Sequence, residues 1–80
     1  MVEVLLFGAA ADRAGTRRVQ LETAGATTLA EIWPQLAGRY PELSSMRDTL
    51  AFAVNGEYAK MDARVSPGDE VAVLPPVSGG

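Results

Sequence analysis

The sequence contains neither cysteine nor histidine, and these two absences remove most of the familiar catalytic chemistry. Without cysteine there is no disulfide, no thiolate metal ligand and no thiol nucleophile. Without histidine the chain lacks the commonest general base and metal ligand. Carboxylates, hydroxyls and the single lysine, Lys60, remain, and none stands in a recognisable catalytic pattern. The sequence therefore predicts no catalytic residue, no metal site and no independent enzyme.

The sequence also has no marked excess of positive charge. Seven basic and ten acidic residues give a net charge of −3, and Arg17-Arg18 is the only adjacent basic pair. Nucleic-acid binding consequently has no electrostatic support. No apolar run approaches the roughly 18 residues of a membrane span, and the N-terminus lacks the basic region of a signal peptide. We expect a cytoplasmic protein that does not associate with membranes.

The 80 residues suit one domain, with an apolar fraction of 48%. Apolar or alternating runs predict five strands, at Val2–Phe7, Arg17–Glu22, Leu50–Val54, Glu57–Ala59 and Glu70–Leu74. The intervening residues 8–16 are interpreted as a loop of small and turn-forming residues. Asn55-Gly56 favours a two-residue hairpin, a role that already accounts for Asn55 without a contact function.

One main helix is expected between the second and third of these strands. Thr28 and Glu31 form a capping-box pattern, which predicts the helix start. Apolar residues then recur at spacings of three and four as far as Tyr40, where Pro41 disfavours further helix. Pro34 lies inside this segment and should bend the helix without breaking it.

This order of elements predicts an α+β fold, a β-grasp with a mixed sheet and one main helix packed on one face. The first and last strands should be parallel neighbours in the middle. Residues 1–74 would form the β-grasp domain and residues 75–80 an extended tail. Because side chains alternate between the two faces of a strand, the sheet face without a helix should be unusually apolar. Such a face indicates either a partner surface or an error in the assigned packing. Its predicted residues are Leu5, Phe7, Ala51, Ala53, Ala72 and Leu74.

The C-terminal segment is the most distinctive stretch of the sequence. Pro75 and Pro76 cannot continue a strand ladder, so pairing should stop near Leu74. From there to Gly80 an extended chain reaches about 20 Å, and its terminal glycines make a narrow tip. A frayed end has similar composition. The Gly80 carboxylate is nevertheless the one chemically distinctive group, since ATP can activate it as an acyl-adenylate.

Three segments together resemble the ubiquitin-like sulfur-carrier family, and within it the small subunits of molybdopterin synthase. The first is Val4–Phe7 with the small-residue loop to Gly15-Thr16, and the second is Ala53–Gly56. The third and most specific is the run Gly68-Asp69-Glu70-Val71-Ala72-Val73-Leu74-Pro75-Pro76-Val77-Ser78-Gly79-Gly80. The resemblance covers essentially the whole chain. It departs from the family at Ala11-Asp12, where an arginine followed by an acid is common, and at Pro34.

The resemblance implies a ubiquitin-like β-grasp whose Gly80 is adenylated by a ubiquitin-activating-like adenylyltransferase and converted to a thiocarboxylate. No cofactor would be bound, and ATP would be used by the activating enzyme. The sulfur would pass to cyclic pyranopterin monophosphate in the large subunit of molybdopterin synthase, so this chain would be the non-catalytic subunit of a heteromeric sulfurtransferase. The tail inserted in that partner would comprise Pro75, Pro76, Val77, Ser78 and Gly79, and the partner interface Leu5, Phe7 and Leu74.

Two alternatives stay open at the level of sequence. The terminal Gly79-Gly80 sequence does not identify the molecule that accepts the sulfur, so the chain could serve thiamine synthesis or another pathway. The domain could also be a β-grasp protein-interaction module with an incidental tail.

Overall fold

The structure is a computed structural model that describes residues 1–76. Val77, Ser78, Gly79 and Gly80 lie outside the described residues. The elements are β1 (Val2–Leu6), α1 (Gly8–Ala14), β2 (Arg18–Leu21), β3 (Thr27–Thr28), α2 (Leu29–Arg39), a 3₁₀ helix (Pro41–Thr49), β4 (Ala51–Val54), β5 (Glu57–Ala59), β6 (Arg64–Val65) and β7 (Glu70–Leu74). No helix within residues 1–76 is long and apolar enough to cross a bilayer.

Five of the strands form one mixed sheet, in the order β2-β1-β7-β4-β5. The central strand, β7, is parallel to β1 and antiparallel to β4, while the outer pairs are antiparallel. The two-residue strands β3 and β6 pair separately beside the start of α2. The β-grasp fold and its parallel first and last strands, predicted from the sequence, are thereby confirmed.

The core lies between this sheet and α2. Val2, Val4 and Leu6 of β1 are almost completely buried, as the alternation predicts. From the helix side, Trp33 meets Phe52 of β4 edge to face, with ring centroids 5.6 Å apart and planes at 80°. Such aromatic pairs add about 0.5–1.5 kcal/mol beyond the burial of their area. The face of the sheet that packs against α2 therefore forms the hydrophobic core.

Helix α2 begins where the sequence predicts, although the expected capping box is wrong in mechanism. Thr28 is the N-cap residue, but its side chain makes no capping hydrogen bond among the described residues. The backbone amides of Leu29 and Ala30 donate instead to the carbonyls of Ala63 and Met61, at 3.1 and 2.8 Å. The chain beside β6 thus supplies acceptors for two of the four free amides at the start of the helix. The helix is continuous through Pro34, as expected.

Residues 8–14 are helical, so their interpretation as part of a loop was wrong. Helix α1 follows β1 with Phe7 as its N-cap residue and ends at Gly15, which has a φ of 74°. Alanine has the highest helix propensity, which favours a helix in this alanine-rich stretch. Ala10 is completely buried and anchors the helix against the core. The strand Val2–Phe7 is accordingly one residue shorter than predicted.

The Asn55-Gly56 hairpin is confirmed. Asn55 and Gly56 have φ values of 51° and 86°, as a type I′ turn requires. Asn55 also fastens the turn to the central strand: its amide donates to the Glu70 carbonyl at 2.8 Å. Its side-chain Oδ1 accepts the Glu70 amide at 3.0 Å. The structure therefore gives Asn55 a structural role that extends beyond the hairpin.

Candidate docking face and tail base

The sheet face opposite α2, called here the open face, is organised in rows that cross the strands. One row crosses all five strands: Leu5 of β1 is paired with both Arg18 and Ala72, and Ala72 is paired with Ala53, which faces Tyr58 on β5. Between Arg18 and Tyr58 this row is apolar. Leu5 is half-buried, which leaves part of its side chain available to a partner.

A second apolar row lies closer to the C-terminal end of β7. Leu74 is paired with Ala51 of β4 and is half-buried. Phe7, on the other side of β7, donates its amide to the Val73 carbonyl at 3.1 Å, and 43% of its surface is exposed. Together with Leu5 these residues make a contiguous apolar area, and such areas on a protein surface mark interaction sites. The structure therefore brings the predicted residues Leu5, Phe7 and Leu74 together on one face.

Ala53 corrects one part of the expected open face, because only 6% of its surface is exposed. It is not part of the core cluster between the sheet and α2. Its methyl group is short, and it stands between the side chains of Ala72 and Tyr58 on the neighbouring strands. Ala53 is therefore on the predicted face but contributes little accessible surface.

Tyr58 is the open-face residue that the sequence analysis missed. It is 72% exposed, the highest value among the large hydrophobic residues of the described chain. Its position could have been predicted from the sequence, because a two-residue Asn55-Gly56 loop fixes the register that places Tyr58 opposite Ala53. A tyrosine offers a large rigid contact area with a polar tip, which makes it a frequent anchor in protein interfaces.

The open face becomes charged at the end remote from Leu74. There Glu3 is paired with Gln20 on one side and with Glu70 on the other. Arg18 approaches Glu3, with Nε 3.4 Å from the carboxylate oxygen. The apolar area is thus limited to the half of the face from which the tail departs.

The base of the tail lies against the start of α1. Strand β7 ends at Leu74, as predicted, and Pro75 and Pro76 are exposed. A Cβ atom built on Gly8 would lie 3.7 Å from the Cβ and Cγ atoms of Pro75, so the proline ring packs directly over the glycine. The predicted positions Val77, Ser78, Gly79 and Gly80 lie outside the described residues.

The described residues offer little chemistry of their own. Within residues 1–76 there is no group of three or more acidic side chains placed to hold a metal ion. At Asp69 the amide of Ser66 and, to a smaller extent, the side chain of Asn55 hold the pKa of the carboxyl below its usual value. Asp69 precedes β7 and so lies at the end remote from the tail.

Comparisons with known proteins cover nearly the whole chain. The ThiS family model matches residues 4–80. The human protein named molybdopterin synthase sulfur carrier subunit is 35% identical, over 99% of this chain and 93% of its own length. The crystal structure of small archaeal modifier protein 1 from Haloferax volcanii has a TM-score of 0.87 and 34% identity, over 99% of this chain and 98% of that one.

A further solved structure is that of a protein complex. The complex of subunits 1 and 2 of molybdopterin-converting factor from Helicobacter pylori contains a chain with a TM-score of 0.68 and 24% identity. The match covers 99% of this chain and 97% of that one. At this identity the likeness concerns the fold.

Proposed function

Because this chain belongs to the ThiS family, we propose that it is the sulfur-carrier subunit of a molybdopterin synthase. The observation that carries the proposal is the continuity of the apolar row at Phe7 and Leu74 with the Pro75 base of the tail. A partner that binds this row receives the tail in a fixed direction. The likeness to the human sulfur carrier subunit, over nearly all of both chains, supports the assignment.

The chemistry belongs to Gly80. Its carboxylate attacks the α-phosphate of ATP in an activating adenylyltransferase, releasing pyrophosphate and forming an acyl-adenylate. A hydrosulfide ion from the sulfur source then attacks the acyl carbon, AMP leaves, and the chain ends in a thiocarboxylate. That sulfur is donated to cyclic pyranopterin monophosphate in molybdenum cofactor biosynthesis. Gly80 carries the sulfur, while the catalytic groups and the ATP site belong to the partners.

Two partners share one docking surface in this proposal. Leu5, Phe7 and Leu74 contact first the adenylyltransferase and then the large synthase subunit, while the tail from Pro75 to Gly79 enters the active site of each. The Helicobacter pylori protein of the same fold is in complex with its subunit 2, which supports a protein partner here. We place these reactions in the cytoplasm, where ATP is available.

The proposal is tested by intact mass after incubation with the cognate adenylyltransferase, ATP and a sulfur source. The full chain should gain the mass difference between oxygen and sulfur, and a chain lacking Gly80 should gain none. Adding the large subunit and cyclic pyranopterin monophosphate should restore the original mass and yield molybdopterin. An unchanged mass at Gly80 with an adenylyltransferase active on another carrier contradicts the proposal.

A sulfur carrier for thiamine or another pathway would give the same first result, because the chemistry at Gly80 is shared. Co-purification with a thiazole synthase rather than with a molybdopterin synthase large subunit would identify it. A β-grasp interaction module is the remaining alternative. Deleting Gly79-Gly80 leaves such a module functional, whereas it abolishes the function of a carrier.

Conjugation to other proteins is a second candidate, favoured by the likeness to small archaeal modifier protein 1. In that case an amine, rather than sulfur, displaces AMP from the Gly80 adenylate and forms an amide. Mass spectrometry of digested partner proteins for lysines joined by an amide to the C-terminal segment that ends in Gly80 distinguishes the two outcomes; because Arg64 is the last basic residue, cleavage after Lys and Arg leaves residues 65–80 on the modified lysine.

A further inference from the structure

We propose that the partner surface receiving the tail carries acidic residues on both sides of the tail entrance, and that these residues pair with basic side chains flanking the tail base on this chain. The inference rests on the proposed function, since it specifies the chemistry of the partner that function requires. It concerns charged residues, which the apolar interface of Leu5, Phe7 and Leu74 does not include.

The sheet order places basic residues on both sides of the tail. Strand β7 is central, with β2 and β5 each two strands away. On the β2 side, Arg17 lies opposite Leu6, whose amide donates to the Arg17 carbonyl at 2.8 Å. On the β5 side, Lys60 follows Ala59, which is paired with Phe52 next to Ala51. At about 4.8 Å per strand, each basic position lies roughly 10 Å to one side of β7.

Two surface concavities at these positions carry a local excess of positive charge. One, of about 480 Å³, adjoins Leu5 and Phe7, and the other, of about 310 Å³, adjoins Ala51 and Tyr58. The charged residues that line them are Arg17, Arg18, Arg47, Lys60 and Asp12. The chain as a whole has ten acidic and seven basic residues, so the ratio of basic to acidic residues is reversed beside the tail.

Arg17 and Lys60 are available for pairing with a partner. Both are exposed, and no carboxylate within residues 1–76 lies within 4.0 Å of either. Arg18 and Arg47 approach Glu3 and Asp48, at 3.4 and 3.7 Å, and both arginine side chains are exposed, although the Glu3 side chain is partly buried. Exposed ion pairs contribute at most about 1 kcal/mol, so a partner can compete for them.

The end of the sheet remote from the tail carries charge of the other sign. Glu3 and Glu70 are neighbours on β1 and β7 at the end remote from the tail. An acidic partner rim is attracted to the tail end and repelled at the remote end. Complementarity of this kind selects the orientation of the encounter and raises the association rate more than the affinity. Acidic residues at the mouth of the partner's channel would therefore align the tail before it enters.

The test is the association rate of the full-length chain with the cognate molybdopterin synthase large subunit, measured by stopped flow at several salt concentrations. Arg17→Glu and Lys60→Glu should each slow association roughly threefold to tenfold at low salt, and the effect should shrink at high salt. Arg64→Glu is the matched control. It changes the net charge equally, but Arg64 is exposed on β6, outside the five-stranded sheet, so its effect should stay below about twofold.

Circular dichroism and urea midpoints equal to those of the unmodified chain establish that the variants are folded. Rates for Arg17→Glu and Lys60→Glu that match Arg64→Glu at every salt concentration overturn the acidic rim while leaving the proposed function intact. Faster association of Arg17→Glu or Lys60→Glu than of the unmodified chain would indicate basic residues around the partner's tail entrance, and would also overturn the proposed acidic rim. Failure of the unmodified chain to bind or donate sulfur overturns the proposed function, and this inference with it.

Discussion

Pro75 packs over Gly8, with its Cβ and Cγ 3.7 Å from the position that a Gly8 side chain would occupy. Gly8 is the first residue of α1 and has a φ of +56°, a left-handed conformation that residues with side chains rarely adopt. The turn from β1 into α1 therefore brings bare backbone against the base of the tail.

Gly8→Ala should destabilise the fold by about 1–2 kcal/mol, because alanine is strained at positive φ. The 3.7 Å spacing accommodates a methyl group, so the strain arises in the backbone rather than from a clash. Gly38→Ala is the matched control, since Gly38 lies in α2 with no atom within 4 Å of a built Cβ and without positive φ. That variant should gain about 0.5–1 kcal/mol. Urea unfolding measures the change in the free energy of unfolding for each variant. Changes of the same sign in Gly8→Ala and Gly38→Ala would contradict these expectations.

Phe7→Ala should weaken binding of the large subunit at least about tenfold, because interface energy concentrates in a few aromatic anchors. Phe7 is 43% exposed, so its removal should lower the free energy of unfolding by less than about 1 kcal/mol. Tyr58→Ala tests the edge of the same face and should cost roughly threefold to tenfold in affinity. Isothermal titration measures both affinities.

Arg64→Ala provides the control for these truncations, since it removes a long exposed side chain from β6, away from the open face. It should leave affinity within about twofold of the unmodified chain. Full affinity in Phe7→Ala would show that the partner approaches another surface.

Alternation along β1 was enough to place Leu5 and Phe7 on the open face, because a buried face fixes the parity of a strand. Helix α1 was beyond such reasoning, since seven residues rich in alanine give no readable period, and burial of Ala10 stabilises them. The start of α2 was predicted correctly, although the Thr28 side chain makes no capping hydrogen bond among the described residues. The carbonyls that accept first-turn amides instead belong to Ala63 and Met61, more than 30 residues further along the chain. Contacts of that kind leave no local pattern in a sequence.

Asn55→Ala should lower the free energy of unfolding by about 1–3 kcal/mol. Alanine tolerates the φ of 51° poorly, and the substitution leaves the Glu70 amide without its 3.0 Å acceptor. Asn55→Gly separates the two causes, since it keeps the turn and loses only the hydrogen bond. The free energy of unfolding should therefore fall less in Asn55→Gly than in Asn55→Ala. Sulfur transfer per folded molecule should stay unchanged in both variants, and a selective loss of transfer would give Asn55 a contact role instead.

Asp69 makes the turn before β7 sensitive to acid. Its Oδ2 accepts the Ser66 amide at 2.8 Å, and its own amide donates to the Ser66 carbonyl at 3.0 Å. The Ser66 amide, with a further contribution from the Asn55 side chain, lowers the pKa of Asp69. A carboxyl whose pKa is lower in the folded state stabilises the fold above its unfolded pKa, about 3.9, and this stabilisation is lost as pH falls through the folded pKa.

Asp69→Asn should therefore be less stable than the unmodified chain at pH 7, and the difference should narrow below about pH 4. Urea unfolding at intervals from neutral to acid pH measures this convergence. Asp62→Asn removes the same charge from an exposed residue whose side chain takes part in no hydrogen bond within residues 1–76. That control should retain the acid dependence of the unmodified chain. A stability difference for Asp69→Asn that stays constant with pH would mean that the Ser66 contact does not stabilise the charged form.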